Sequence, residues 1–145
     1  MCGSPLICDD LVVVSAGVAS DADSAKPRDH SLMAFDRQTG ELKWHAGNQQ
    51  AAYCSPQIMT LSGKRQIVIH NGPGVTAHDP SSGKVLWSHP WANPQMINCT
   101  QPVHLADFGE PEGQNKLLVS TGYGTGSTLL EISQVGERWD VQSLW

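Results

Sequence analysis

Four cysteines and six histidines hold most of the reactive side-chain chemistry in this 145-residue chain. Cys2, Cys54 and Cys99 each stand two or three residues ahead of a proline, Pro5, Pro56 and Pro102. A place that recurs in a repeated unit would bring the three thiols to one mouth of the molecule, where thiolates bind a soft metal ion. The competing reading, and the expectation, is a small apolar side chain in a repeated packing position, because free cysteine is among the most buried residue types. Neither C-x-x-C nor C-x-x-C-H occurs, and the four cysteines, Cys8 included, fit either redox compartment. The histidines, His30, His45, His70, His78, His89 and His104, form no i,i+2 or i,i+4 pair. They read as scattered structural or surface residues, His104 being the one candidate for a ligand or channel role. Gly122-Tyr123-Gly124-Thr125-Gly126 looks like a phosphate-cradling loop but lacks a following helix and a lysine, so it reads as a β-turn. No serine sits in a nucleophile elbow, and no catalytic residue is assigned.

The elements that must position these groups show in an internal repeat. Ala34-Phe35-Asp36-Arg37-Gln38-Thr39-Gly40-Glu41-Leu42-Lys43-Trp44 returns as Ala77-His78-Asp79-Pro80-Ser81-Ser82-Gly83-Lys84-Val85-Leu86-Trp87, both reading A-x-D-x-x-[T/S]-G-x-x-x-W. An apolar run into Asp, then a polar pair and a Gly, then a second run ending in Trp is the pattern of a hairpin. Gly40 and Gly83 supply positive φ, Asp36 and Asp79 accept backbone N–H bonds two or three residues on, and Thr39 and Ser82 add a weaker one. Trp44 and Trp87 then lie on the outgoing strands, each wanting a carbonyl for its indole N–H. Around these hairpins the chain reads as short strands. Ser4–Cys8 and Leu11–Gly17 flank an acidic turn, and the unbroken apolar run Leu11–Val14 predicts a strand covered on both faces. Ser55–Leu61, Arg65–His70, Val75–Asp79 and Lys84–His89 form a meander. Gln101–Leu105, Lys116–Thr121, Ser127–Ile132 and Trp139–Trp145 form another, with the hairpin motif decayed and Trp145 the expected analogue of Trp44. Trp91, in a connection between units, reads as a plug.

The repeated eleven residues resemble the tryptophan-docking motif of the quinoprotein alcohol dehydrogenase-like superfamily, the β-propellers of PQQ repeats. The resemblance covers nearly all of the chain. It implies an all-β fold, a partial β-propeller of about three four-stranded antiparallel blades, at 1–47 (with a flexible loop at 18–30), 48–92 and 93–145. It also implies that Asp36, Thr39, Gly40, Trp44, Asp79, Ser82, Gly83 and Trp87 form the docking motif, the Trp of one blade stacking on the Gly-containing turn of the next. Cys2, Cys54, Cys99 and His104 are the channel-mouth candidates. Enzymes of the superfamily hold PQQ and Ca²⁺ with adjacent cysteines, a Trp floor and Glu, Asn and Asp ligands. No Cys-Cys dipeptide or matching ligand set can be carried onto this sequence, so no cofactor is expected unless further blades complete the site. The function the resemblance implies is a noncatalytic binding, scaffold or sensor module of a larger bacterial, periplasmic or otherwise extracytoplasmic protein. The alternative is part of a PQQ-dependent dehydrogenase of an alcohol or sugar.

Composition bounds the rest. With 39% hydrophobic and 16% charged residues, 14 Gly and 9 Pro, the chain suits a turn-rich globular fold. A net charge of −5 without a basic patch argues against nucleic acid, and no apolar run approaches the roughly 18 residues of a membrane span. Three blades cannot close a ring that takes about four to eight. A fragment of a longer chain, which the starting Met and the abrupt Leu144-Trp145 end favour, or a homo-oligomer covering the open blade faces is therefore expected.

Overall fold

A computed structural model describes residues 3–17, 30–109 and 113–145. Cys2 and all but His30 of the expected loop at 18–30 lie outside the described residues. Short runs rich in Val, Ile and Leu, punctuated by Gly- and Asp-containing turns, form three four-stranded antiparallel meanders: a partial β-propeller. The first blade is β1 (Leu6–Cys8), β2 (Leu11–Ser15), β3 (Leu32–Asp36) and β4 (Leu42–Ala46). The second is β5 (Gln57–Leu61), β6 (Lys64–His70), β7 (Gly74–His78) and β8 (Val85–Pro90), and the third β9 (Val103–His104), β10 (Lys116–Thr121), β11 (Gly126–Val135) and β12 (Arg138–Ser143).

The middle blade is the packing centre. Side chains alternate across a strand, so in β6 Ile67 and Ile69 face the first blade and join Val13, Leu32, Ala34 and Trp44. Val68 points the other way, into a cluster with Trp87 and with Leu117, Val119, Leu130 and Ile132 of the third blade. Gln66–His70 and all of β7 are consequently buried throughout. The run Leu11–Val14 behaves differently from expectation: Val13 is buried, whereas Leu11, Val12 and Val14 are half-buried. Apolar character there exceeds what the described packing covers, because the second blade lies on one face only.

Two further expectations change. The inner strand of the third blade is only Val103–His104, followed by a 3₁₀ turn at Leu105–Phe108 that ends on Gly109 in the left-handed region (φ 77°). Leu-Ala-Asp-Phe has no β-branched residue to hold it extended, and the Gly supplies the stop. Trp145 lies beyond β12 and is 64% exposed, so it does not stand where Trp44 stands; Trp139, at half-burial, is the ring that packs on the cluster between the second and third blades. Trp91 is partly buried against the same cluster, its indole N–H directed at the Gly126 carbonyl.

Buried histidines brace the middle blade. Asn71 Nδ2 donates to Thr76 Oγ1, which lies 3.2 Å from His78 Nε2, and His78 Nδ1 lies 2.8 Å from the Gly83 carbonyl. A carbonyl only accepts, so Nδ1 carries the proton, and the Thr76 hydroxyl, having accepted from Asn71, donates to Nε2. This chain of bonds requires neutral imidazole. Desolvation pushes the titration of His78 and His70 below the ordinary value of 6.5, against the opposing pull of backbone bonds. The unfolded chain therefore binds protons near that value that the fold refuses, so stability is complete above it and declines as pH falls below it. Thermal unfolding midpoints should begin to drop from about pH 6.5 downward, and His78→Asn should flatten that dependence. A pH-independent midpoint down to the carboxylate range would contradict the neutral-imidazole assignment.

Candidate functional site

The two repeated hairpins share one local construction. Asp36 Oδ1 accepts from the N–H groups of Gln38 (3.0 Å) and Thr39 (2.9 Å), and the Gly40 N–H donates to the Asp36 carbonyl. Asp79 Oδ1 accepts from Ser81 (3.0 Å) and Ser82 (3.1 Å), and the Gly83 N–H donates to the Asp79 carbonyl. Thr39 Oγ1 and Ser82 Oγ each accept a longer bond from the residue two ahead. Both carboxylates sit below their ordinary range, Asp36 chiefly through the Thr39 N–H and Asp79 chiefly through the Ser81 hydroxyl. In both hairpins a register shift follows an Ala–Trp pair, Ala34 opposite Trp44 and Ala77 opposite Trp87.

The two indoles are partnered differently. Trp44 crosses to the second blade: its Nε1–H donates to the Pro80 carbonyl (3.2 Å), and its ring lies so close over Gly83 that a Cβ there would come within 2.5 Å of it. Trp87 is buried against the third blade, but its Nε1–H is taken within its own sheet by Gln66 Oε1 (2.7 Å). The turn after β11 has no Asp in the place of Asp79. Gly40, the counterpart of Gly83, has nothing within 4 Å of a Cβ built on it. Among the described residues one seat is filled and the other is open.

A second feature lies between inner strands. A groove of about 440 Å³ is lined by four consecutive residues of β5, Gln57–Thr60, by Gln101–His104, and by Asp107 and Phe108 of the 3₁₀ turn. Its walls thus come from β5 on one side and from β9 with the two residues ahead of it on the other. Among the described residues β5 pairs only with β6 and β9 only with β10. Gln57 Oε1 is buried with no hydrogen-bond partner among the described residues, and Phe108, 72% exposed, stands at the rim. His104 is held, with Nε2 at 2.9 Å from the Gln114 carbonyl and Nδ1 at 3.7 Å from Asp107 Oδ1. Gln57, Asp107 and Phe108 escape sequence reasoning, because nothing in their spacing marks them and only the juxtaposition of β5 with β9 makes them neighbours.

Cys54 is buried and Cys99 exposed, both as free thiols. They flank the groove walls, ahead of Gln57 and Gln101. Burial pushes the Cys54 thiol up; a bond from the His70 backbone pulls it down and the Cys99 charge pushes it up further. Behind them a polar network fixes the crossing from second to third blade: Asn98 Nδ2 donates to the Asn71 and Gly72 carbonyls, Thr121 Oγ1 donates to Asn98 Oδ1, and Asn93 Nδ2 donates to Thr121 Oγ1 and the Ile97 carbonyl. The Asn93-Pro94 dipeptide was the one sequence signal of this turn. Among the described residues no three His, Cys, Asp or Glu side chains converge, and Asp107 is the one carboxylate among the residues lining the groove.

Gly40 and Gly83 have the same φ, 73° and 72°, so alanine at either position meets the same backbone strain. Any excess loss of stability in Gly83→Ala over Gly40→Ala then measures the crowding against the Trp44 indole and the Ala46 Cβ, and it should fall to the smaller Ala46 share when both are compared in a Trp44→Ala background. Trp44→Ala by itself should cost about 3–5 kcal/mol in denaturant unfolding. Equal losses for the two glycine variants would remove the contact from the stability of the fold.

No described helix is long and apolar enough to cross a membrane. Comparison with curated proteins and with solved structures gave no match. A family model described as outer membrane protein assembly factor BamB matches residues 1–143. With that match over three antiparallel four-stranded sheets, the chain belongs to the PQQ-repeat family of β-propellers.

Proposed function

We propose that this chain is a noncatalytic binding module of a larger extracytoplasmic assembly, and that it holds an extended segment of a protein partner in the groove between β5 and β9. The observation that carries the reading is the groove between β5 and β9, two strands that each end a sheet and have one edge unpaired among the described residues. Free N–H and C=O groups along a strand edge hydrogen-bond an added strand, and flanking side chains supply selectivity. Gln57 Oε1 offers a desolvated acceptor to a backbone N–H, and Phe108 offers an apolar anchor at the rim. The family's description as an assembly factor supports a protein as the partner. Further blades of the same repeat or a second copy would cover the outer surface of the third blade, where Val135 and Trp145 are exposed.

The test is fluorescence anisotropy with a panel of labelled, unstructured peptides. Phe108→Ala and Gln57→Leu should each weaken binding about tenfold, equivalent to about 1.4 kcal/mol, with the melting temperature held. Amides of β5 should gain protection from hydrogen exchange in the complex. Binding indifferent to both substitutions would rule the groove out. A quinone-dependent oxidation, the competing reading, predicts dye-linked turnover of an alcohol or sugar once PQQ and Ca²⁺ are added. Such turnover, lost on omitting PQQ, would replace the binding reading.

A further inference from the structure

The crossing from second to third blade places two thiols on adjoining chain segments. The Tyr53 N–H donates to the Asn98 carbonyl at 3.0 Å, and Cys54 and Cys99 are the next residue on each segment. His70 touches both segments, its backbone bonded to the Cys54 thiol and its imidazole to the backbone of Thr100, the residue after Cys99, so the two thiols stand on neighbouring stretches of chain; a disulfide asks for Cα atoms roughly 4.4–6.8 Å apart. The Asn98 side chain, bonded to the Asn71 and Gly72 carbonyls and to Thr121, fixes one segment. Packing fixes the other, since the Cys54 carbonyl lies 2.9 Å from the Cβ position of Gly3 and Ser55 Oγ accepts the Ser4 N–H at 2.7 Å. The two sulfurs differ in access, Cys54 being 1% exposed and Cys99 open to solvent.

We propose that Cys54 and Cys99 are a reversible redox pair that closes to a disulfide by exchange with a low-molecular-weight disulfide of the glutathione class, clamping together the segments that lead into the two groove walls. The accessible partner reacts first. Cys99 thiolate attacks one sulfur of the small disulfide, forming a mixed disulfide and expelling one small thiolate. Cys54, having given up its proton to solvent, attacks the Cys99 sulfur and expels the second thiolate. The protein loses two hydrogens in all, and one small disulfide becomes two thiols. After burial and against the bond from the His70 backbone, the Cys99 charge pushes the Cys54 thiol up, in agreement with their closeness. Cys8 is outside the pair, its sulfur lying against Asp9 and against Arg65 of the second blade.

The test uses the whole chain in buffers of oxidised and reduced glutathione, followed by alkylation and non-reducing peptide mapping. Expected is a peptide joined through Cys54 and Cys99, carrying no glutathione, that separates on adding dithiothreitol. The unfolding midpoint should rise on oxidation and return on reduction. Cys54→Ser should convert the product into a lasting glutathione adduct at Cys99, and Cys8→Ser should leave the bridge unchanged. A persistent adduct at Cys99 of the unsubstituted chain beside a free Cys54, or Cys99 joined to another cysteine, would overturn the pairing. The mapping involves no peptide partner, so its outcome is separate from that of the groove-binding test.

Discussion

The contact on which the arrangement of the first two blades turns is the indole of Trp44 lying over Gly83, with its N–H on the Pro80 carbonyl. Apolar packing between sheets is non-directional and would tolerate sliding, because a face of Val, Ile and Leu offers many equivalent contacts. A planar ring with one donor does not. It needs a side-chain-free surface at the right depth and an acceptor at its edge. The hairpin of the second blade provides both because Asp79 folds the turn and leaves the Pro80 carbonyl facing the neighbour. The apolar cluster of Val13, Leu32, Ala34, Ile67 and Ile69 then packs in a register already set. The Arg65–Asp9 ion pair between the same blades is exposed and screened by solvent, so it adds little to this registration.

Between the second and third blades the same task is divided. Trp87 supplies buried area, but its donor is satisfied at home by Gln66, whose Nε2 in turn donates to the Leu61 carbonyl. Registration falls instead to the Asn93, Asn98 and Thr121 network, with Ser62 adding bonds to Asn115 and to the Ile132 carbonyl. Buried amides of this kind are costly unless fully satisfied. Where they are satisfied, few alternative placements keep every bond, and this holds β5 and β9 at the spacing that opens the groove.

The strand meander was legible in the linear chain because its determinants are local. The bonds from Asp36 to Gln38 and Thr39 span three residues, and the apolar run between two turns decides a strand within six or seven. Face coverage was less legible, since Leu11–Val14 and Ile67–Ile69 are alike in composition and only the second run has a blade on each side. The short β9 and its 3₁₀ turn depended on the absence of β-branched residues in Leu105–Phe108, a weak signal beside the preceding Pro-Val-His. The groove was not legible at all. Gln57 and Phe108 acquire a shared environment only once two sheets have been placed, and no spacing rule connects residues so far apart. Likewise, no pattern indicates that Gln66 rather than a carbonyl would accept the Trp87 proton.

The vacant surface over Gly40 gives the molecule a polarity. Whatever settles there as Trp44 settles on Gly83 must bring an indole from the trailing side of another β-meander, so the two contacting surfaces are unlike. Addition through this seat runs head to tail, and by geometry it ends either in a closed circle or in an open filament.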